Sequence, residues 1–223
     1  MQKLCEFFDI KSGITALIGG GGKTSTMYVL AEELRKKGSV IVCTSTHILC
    51  PPQYLFLPRL SNKLVSGEVV STGCIDGHKL STPEQSFDEL TRFADYVIVE
   101  ADGSRQLPLK AHASHEPVIP KETNKVIVVI GIDGLGKPIK DVAHRPELYA
   151  AIVHADICAS VTAEMIRDVV RTYPRCDGIV INKADDPEAF EKALELAALF
   201  DVPVAITAWQ TDDSIKAYRR KEV

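Results

Sequence analysis

An apolar segment followed by four consecutive glycines and Lys-Thr-Ser constrains the fold of this chain more than any other feature. The apolar segment runs from Ile14 to Ile18, the glycines from Gly19 to Gly22, and Lys23 opens a stretch of helix-forming residues. Glycines let the backbone turn tightly and aim successive N–H groups at an anion, and the positive end of the helix dipole adds to that attraction. The order of strand, glycine loop, Lys-Thr and helix predicts a phosphate-binding loop.

This loop carries groups for both phosphate and metal. Lys23 can reach the β- and γ-phosphates of a nucleotide, and the Thr24 hydroxyl can ligate Mg²⁺. The alternative is a glycine-rich turn that only precedes a helix, with Lys23 in solvent. We favour the nucleotide site because all four parts occur in the required order. The residues predicted to bind a nucleoside triphosphate here are Gly19, Gly20, Gly21, Gly22, Lys23, Thr24 and Ser25.

The spacing of the loop differs from the usual pattern. That pattern has glycine six positions before the lysine, where this chain has Leu17. The shorter Gly19-x-x-Gly22-Lys23-Thr24 sequence resembles the loop of the Mur ligase and folylpolyglutamate synthase families. The resemblance keeps a ligase or kinase activity open beside nucleotide hydrolysis.

Apolar strand-like segments alternate with helical segments along the chain. This alternation predicts an α/β fold, specifically a three-layer P-loop NTPase with a mostly parallel, doubly wound sheet. Residues 1–223 are predicted to form a single nucleotide-binding domain with a small excursion at about 50–80. Strands are predicted at 14–18, 40–43, 69–75, 96–100, 125–130, 178–182 and 202–207, and helices at 24–37, 82–93, 146–153, 163–172 and 186–200.

Two of these helices have recognisable ends. The helix after the glycine loop is predicted to stop before Gly38, because glycine readily adopts the left-handed conformation that terminates helices. The helix at 82–93 is predicted to start with Thr82 as its cap and Pro83 in its first turn. Gln85 would then complete a capping box.

Composition excludes several classes of function. The net charge of −4 gives no basic excess, so we expect neither nucleic acid nor an anionic membrane surface as a partner. No run of about 18 apolar residues is present, so no membrane span is predicted. The six cysteines contain no Cys-x-x-Cys pair, which argues against a zinc ribbon or a thioredoxin-like motif. The first residues lack a long apolar core, so we expect no signal peptide and a cytoplasmic location.

Two carboxylates follow the apolar strand at 96–100. In P-loop enzymes a carboxylate at such a strand end holds Mg²⁺, directly or through water. Glu100 and Asp102 are two positions apart, so one could serve the metal and the other could orient water or substrate. The sequence leaves open which residue takes which role. The alternative is a polar turn, because Asp102-Gly103 is a common turn sequence. Lys23, Glu100 and Asp102 are the predicted catalytic residues, and Thr24, Glu100 and Asp102 the predicted Mg²⁺ ligands.

A second nucleotide motif lies late in the chain. Asn182-Lys183-Ala184-Asp185 follows a predicted strand and matches the Asn-Lys-x-Asp motif that binds guanine in GTPases. A carboxylate accepts hydrogen bonds only, which suits the N–H donors of guanine and rejects adenine. This slightly favours GTP over ATP, with Asn182, Lys183 and Asp185 at the base. The alternative is that Asn182 and Asp185 only shape the turn before the next helix.

Other polar residues are candidates for binding substrate. Thr46 and His47 follow a predicted strand at the edge where ligands bind in open α/β sheets, so Thr46 could contact Mg²⁺ and His47 could meet the γ-phosphate side. The alternative is a cluster of hydroxyl groups that only ends the strand. The segment 107–117 is rich in ionisable residues and comes soon after Glu100, and loops of this kind often bind substrates. Within it we select Lys110, His115 and Glu116, and beyond it Arg145. A metal site made from His112, His115 and Glu116 would lack a recognised spacing.

Taken together, these motifs resemble one family, the YqeC-like accessory proteins of selenium-dependent molybdenum hydroxylases. The resemblance extends to about residue 185 and implies a P-loop fold and a role in maturing a labile selenium-containing molybdenum cofactor. A molybdenum hydroxylase or a selenium-handling protein is the partner that it implies. The motifs are Gly19–Gly22 with Lys23-Thr24, Thr44-x-Thr46-His47, Val99-Glu100-Ala101-Asp102-Gly103-Ser104, Leu107-Pro108-Leu109-Lys110, His115-Glu116-Pro117 and His144-Arg145-Pro146-Glu147.

The sequence therefore predicts a Mg²⁺-dependent nucleotide-binding protein that hydrolyses nucleotide slowly and assists the maturation of a selenium-dependent molybdenum hydroxylase. Slow turnover is expected because the water-positioning residue of fast GTPases is not identifiable. Two alternatives remain open: a small-molecule kinase or ATP-dependent ligase, and a nucleotide-gated binding protein without turnover.

Overall fold

The structure is a computed structural model that describes residues 2–209 and 212–219. Its helices are α1 (Leu4–Phe7), α2 (Lys23–Leu34), α3 (Phe87–Phe93), α4 (Ile139–Val142), α5 (Pro146–Ile152), α6 (Ala163–Arg171) and α7 (Pro187–Ala197), with a 3-10 helix at Ile132–Gly134. Its strands are β1 (Gly13–Gly19), β2 (Val40–Thr44), β3 (His47–Leu49), β4 (Leu55–Phe56), β5 (Val69–Ser71), β6 (Cys74–Asp76), β7 (Lys79–Ser81), β8 (Tyr96–Glu100), β9 (Leu109–Lys110), β10 (Thr123–Gly131), β11 (Ala143–His144), β12 (Gly178–Asn182), β13 (Val204–Ala208) and β14 (Asp212–Arg219). None of the helices within these described ranges has the length and apolar character needed to cross a membrane.

A nine-stranded sheet forms the centre of the fold, in the order β14-β13-β12-β10-β1-β8-β2-β5-β4. Neighbouring strands run parallel throughout, except that β14 pairs antiparallel with β13. After β1 the chain first adds strands on one side of β1, and it later adds β10, β12 and β13 on the other side. The predicted α/β fold with a mostly parallel, doubly wound sheet is confirmed.

Helices cover both faces of this sheet, which gives three layers. Alternate residues of a strand point to opposite faces, so Ile14, Ala16 and Ile18 of β1 join one apolar cluster and Leu17 joins the other. Helices α1 and α2 pack on the face of Leu17, and α3 to α7 pack on the opposite face. Because the central strands are buried on both sides, their sequences are apolar runs rather than alternating patterns.

The carboxyl ends of the central strands meet at one edge of the sheet. This edge therefore carries the glycine loop after β1, Glu100 at the end of β8 and Asn182 at the end of β12. The loop packs tightly there: Gly21 has a φ of +72°, and a Cβ atom on it would lie 2.0 Å from the backbone nitrogen of Gly131 at the end of β10. No residue with a side chain fits this position, so the fold itself requires glycine at 21.

The excursion at about 50–80 divides between two sheets. β4 and β5 extend the edge of the central sheet, whereas β6 joins β3 and β7 in a small antiparallel sheet. The predicted single strand at 69–75 is wrong, because Gly73 breaks it with a φ of +153°. A Cβ atom at Gly73 would lie 2.3 Å from the Ser81 carbonyl oxygen, so the chain turns closely against β7. The single-domain organisation stays a prediction.

Helix α3 begins later than the sequence indicated. Its cap is Ser86, whose hydroxyl accepts from the Glu89 backbone nitrogen while the Glu89 carboxylate accepts from the Ser86 nitrogen. The predicted cap at Thr82 with Gln85 is wrong, because the Gln85 amide bonds the backbone N–H and carbonyl of Leu60 at 2.7 and 3.2 Å. A buried amide satisfied at both ends cannot also cap a helix.

We expect Ser86→Ala to lower the free energy of unfolding by about 1 kcal/mol, since it removes the cap of α3. Thr82→Ala is the matched control and should leave stability within about 0.5 kcal/mol of the unchanged protein, because Thr82 is exposed and does not cap the helix. Urea denaturation measures both. Equal losses in the two variants would contradict the assigned start of α3.

Candidate functional site

A cleft of about 950 Å³ lies at the carboxyl edge of the central sheet. It brings together most of the residues singled out in the sequence, although they come from distant parts of the chain. The predicted site residues that line it are Gly22, Lys23, Thr24, Ser25, Thr46, His47, Glu100, Glu116, Arg145, Asn182, Lys183 and Asp185. Gly19, Gly20, Gly21, Asp102, Lys110 and His115 are absent from its lining and lie behind or beside it.

The backbone N–H groups at the start of the glycine loop bond within the fold, whereas those at its end and in the first turn of α2 do not, among the residues that the structure describes. The N–H groups of Gly19, Gly20 and Gly21 bond Asp102 Oδ2, the Val129 carbonyl and the Leu107 carbonyl at 2.8, 2.9 and 3.1 Å. Helix α2 has no side-chain cap. Within residues 2–209 and 212–219, no acceptor bonds the N–H groups of residues 22–25. These four donors line the cleft at the positive end of a helix dipole, which is a favourable position for an anion.

Lys23 is held at the floor of the cleft. Its Nζ donates to the Gly19 carbonyl at 2.7 Å and lies 3.0 Å from Asp102 Oδ1 and 3.6 Å from Glu100 Oε1. Burial alone would lower the pKa of this ammonium, but the carboxylates of Asp102 and Glu100 outweigh burial and raise it. Lys23 therefore remains positively charged beside the unbonded donors of α2.

Asp102 is a fully buried carboxylate surrounded by donors. Its Oδ2 accepts from the Gly19 N–H and contacts His112 Nε2, and its Oδ1 faces Lys23. Burial raises the pKa of Asp102, yet Lys23, His112 and Lys110 together lower it to about 2. This residue joins β8 to the glycine loop and fixes the position of Lys23.

Glu100 has a different environment although it is only two residues away. It lines the cleft, and its Oε2 accepts from the Thr24 hydroxyl at 2.8 Å. Burial raises the pKa of Glu100, and Lys23 and Thr24 counteract this only in part. Two oxygen groups, a hydroxyl and a carboxylate, thus lie side by side next to the free helix donors.

Thr46 and His47 lie on the wall formed by the start of the small sheet. The Thr46 backbone nitrogen donates to Thr44 Oγ1 at 3.0 Å, and Thr44 Oγ1 donates to the Glu100 carbonyl at 2.8 Å. This chain of bonds ties the turn after β2 to the end of β8. His47 is exposed and lies 3.6 Å from Asp76.

The Asn182–Asp185 motif meets the glycine loop directly. Asn182 Nδ2 donates to the Gly21 carbonyl at 2.9 Å, and Asn182 Oδ1 accepts from Thr207 Oγ1 at 3.2 Å. Lys183 has a φ of +67° and forms an ion pair with Asp133 at 2.8 Å. Asn182 therefore joins three loops, whereas the Asp185 carboxylate is exposed and lines the cleft.

The segment 107–117 is not a free loop. Its charged side chains form a row of ion pairs that is mostly buried. Lys110 Nζ donates to the Gly103 carbonyl and lies 3.1 Å from Glu116 Oε1 and 3.7 Å from Asp102 Oδ2. Arg145 Nε donates to Glu116 Oε2 at 3.0 Å. The pairing of β9 with β11 brings these two parts of the chain together. Only Glu116 and Arg145 of this row reach the cleft.

Sequence reasoning missed several residues of the cleft and its support. His112 contacts Asp102 and lies against the Tyr173 ring at a centroid distance of 4.1 Å, instead of meeting His115 and Glu116. Among the described residues no three His, Cys, Asp or Glu side chains gather as metal ligands. Trp209 lines the cleft and donates from Nε1 to Thr26 Oγ1 at 3.0 Å. No local pattern indicates these contacts, since each joins distant segments.

Comparisons with known proteins give one consistent result. A family model described as YqeC protein matches residues 15–147, which is well over half of the chain. A curated relative from Escherichia coli (strain K12), named "Uncharacterized protein YqeC", is 34% identical over 154 residues. The match covers 62% of this chain and 60% of that relative, so the chain corresponds to about three fifths of the relative's length.

We expect Asp102→Asn to lower the free energy of unfolding at pH 7 by about 3 kcal/mol or more, because it leaves the buried Lys23 ammonium without its nearest carboxylate. The pKa of Asp102 falls from 3.8 to about 2 on folding. The contribution of Asp102 to the free energy of unfolding is therefore complete above about pH 4 and is lost as the pH falls towards 2.

Urea denaturation from pH 7 down to about 3 measures this effect. The difference between the unchanged protein and Asp102→Asn should stay constant to about pH 4 and then narrow. Asp88→Asn is the control, because Asp88 is an exposed carboxylate in a surface ion pair with Arg92. If Asp88→Asn costs as much stability as Asp102→Asn, the assigned role of Asp102 is wrong.

Proposed function

The chain belongs to the YqeC family, and we propose that it is a Mg²⁺-dependent nucleoside triphosphate-binding protein. The observation that carries this proposal is the uncapped first turn of α2, with unbonded N–H groups at 22–25 beside the charged Lys23. Phosphate groups satisfy such donors, and the Lys23 ammonium would neutralise part of their charge.

The residues of the cleft fit a magnesium ion, and we assign its ligands to Thr24 and Glu100. Mg²⁺ prefers hydroxyl, carboxylate and phosphate oxygens, and the Thr24 hydroxyl and Glu100 carboxylate are neighbours that face the cleft. Asp102 is less suited, because it does not line the cleft, its Oδ2 already contacts the Gly19 N–H and His112, and its Oδ1 faces the Lys23 ammonium. When bound, the ion would supply positive charge to the phosphates. Asp102 instead positions Lys23 and the loop.

The base is proposed to lie between Asp185 and Trp209. Asp185 lines the cleft with an exposed carboxylate, which can accept the N–H donors of guanine. Asn182 holds the loops in place, and Lys183 is directed to Asp133. This arrangement favours GTP slightly over ATP. Trp209 offers an aromatic ring at the same end of the cleft, beside the start of α2.

Slow hydrolysis and an accessory role complete the proposal. The described part of the cleft contains carboxylates. None of its residues matches a sequence pattern for the residue that positions the attacking water in fast GTPases. The resemblance to accessory proteins of selenium-dependent molybdenum hydroxylases supports a role in their maturation, with such a hydroxylase or a selenium-handling protein as partner. Nucleotide binding would then control when the partner is engaged or released.

Calorimetric titration with GTP and with ATP, each with Mg²⁺, tests the nucleotide site. We expect the unchanged protein to prefer GTP, Lys23→Ala to lose binding of both nucleotides, and Asp185→Asn to lose the preference. Because the chain has one tryptophan, its fluorescence reports on Trp209 alone and should change on nucleotide binding.

Two controls accompany these titrations. Asp186→Asn alters the neighbouring carboxylate, which caps α7 by accepting from the Ala189 nitrogen, and should keep the preference for GTP. Glu100→Gln should weaken binding with Mg²⁺ far more than binding without it. Equal affinity for ATP, unaltered by Asp185→Asn, would contradict the guanine assignment, and retained affinity in Lys23→Ala would contradict the phosphate site.

The accessory role is tested in a host that makes a selenium-dependent molybdenum hydroxylase. Cells that lack the gene should make hydroxylase polypeptide with reduced selenium content and activity. The unchanged gene should restore both, whereas the Lys23→Ala gene should not, if nucleotide binding is needed. Normal selenium content in the deletion strain would refute the maturation role and would leave the nucleotide site intact.

A further inference from the structure

We propose that the cleft contains a second subsite, formed by Arg105, His144 and Arg145, which binds the carboxylate or phosphate group of a second small molecule. This inference rests on the proposed function, because it assigns the nucleotide to the end of the cleft that contains α2, Asp185 and Trp209. It extends that function by naming the chemical class of a co-substrate. The subsite lies on the wall built from residues 103–106, 116 and 144–145.

The size of the cleft leaves room for two ligands. Pockets for small molecules usually measure about 300 to 1,000 Å³, and this cleft of about 950 Å³ lies near the upper limit. Lys110 connects this wall to the phosphate region, since its Nζ lies 3.1 Å from Glu116 Oε1 and 3.7 Å from Asp102 Oδ2, and Asp102 contacts Lys23. A molecule on that wall would therefore lie beside the phosphate region.

Arg145 is held in a fixed orientation by the fold. Its backbone has a φ of +65°, a left-handed conformation that is uncommon for a residue with a side chain. Its Nε donates to Glu116 Oε2 at 3.0 Å, and its Nη2 lies 3.4 Å from His115 Nε2. A guanidinium has five N–H donors, so three remain without an acceptor in the described part of the chain. Arginine fixed in this way matches a planar carboxylate or a phosphate well.

The charge of Arg145 is not cancelled by Glu116. Glu116 also lies 3.1 Å from Lys110, whose side chain is completely buried. Lys110 and Arg145 thus place two positive charges on one carboxylate, and they lower the pKa of Glu116 although burial raises it. Asp102, the other carboxylate near Lys110, is compensated by Lys23. The wall that carries Arg145 therefore has one more cation than carboxylate, Lys110 and Arg145 against Glu116.

Arg105 and His144 complete the subsite. Arg105 is exposed, lines the cleft and has no carboxylate within ion-pair distance among the residues the structure describes. His144 lines the cleft next to Arg145, and its Nδ1 is buried without a hydrogen-bond partner. Burial, Lys110 and Arg145 lower the pKa of His144, so its ring is neutral at pH 7 and adds no charge to the wall. An anion on this wall would accept hydrogen bonds from both arginines, with the His144 ring beside them.

Calorimetric titration of the full chain with inorganic phosphate and with succinate tests the subsite, both with and without a non-hydrolysable GTP analogue and Mg²⁺. We expect at least one probe to bind at millimolar concentration while the analogue is bound. Arg145→Gln and Arg105→Gln should each weaken that probe by tenfold or more. Arg105→Gln keeps the test valid if Arg145→Gln fails to fold, because Arg105 is exposed and its replacement does not disturb the core. The control is Arg92→Gln, an exposed arginine on α3 paired with Asp88, which should change nothing.

The outcomes separate this inference from the proposed function. If phosphate alone binds, the co-substrate carries a phosphate, and if succinate alone binds, it carries a carboxylate. If neither probe binds, if both arginine variants bind the probes as the unchanged protein does, or if the analogue displaces the probe completely, the second subsite is refuted. If the analogue fails to bind but a probe binds in an arginine-dependent way, the subsite stands and the nucleotide proposal falls.

Discussion

The buried contact between Lys23 and Asp102 connects the parts on which this cleft depends. Asp102 binds the ammonium of Lys23 through one oxygen and the N–H of Gly19 through the other. The end of β8, the glycine loop and the start of α2 are thereby fixed together. Removing one partner of a buried pair leaves an uncompensated charge and costs about 3–5 kcal/mol, so neither side chain can be lost without disturbing this geometry. The free donors of α2 face the cleft because the carboxylate holds the loop from behind.

Environment gives different roles to similar groups in this site. Glu100 and Asp102 have the same chemistry, but one faces the cleft beside Thr24 and the other lies behind the loop among donors. Their pKa values move in opposite directions as a result, up for Glu100 and down for Asp102. The same distinction applies to Lys110 and Arg145. Lys110 is buried and supports Glu116, while Arg145 reaches the cleft.

The local pattern predicted most elements because their causes are local. Helix α2 buries Met27, Leu30 and Leu34 on one face, at the spacing of an amphipathic helix. The predicted stop of α2 at Gly38 is wrong, since the helix ends at Leu34 and Gly38 does not have a positive φ. The other errors came where distant contacts decided the outcome. Gln85 fitted a capping box by its position, but it bonds Leu60, 25 residues away. The segment 69–75 had strand-like composition, but Gly73 turns against β7 and divides it between two sheets.

The sequence by itself determined the fold class and the presence of a glycine loop before a helix, because glycine spacing and apolar periodicity act over a few residues. It also selected about half of the residues that line the cleft. Only the tertiary structure decided which of the predicted side chains face the cleft and which hold its loops in position. Asn182 bonds Gly21 across 161 positions, and His112, Trp209 and Arg105 became part of the site or its support through the folding of distant segments. Such contacts depend on sheet order and packing, and no short stretch of sequence encodes them.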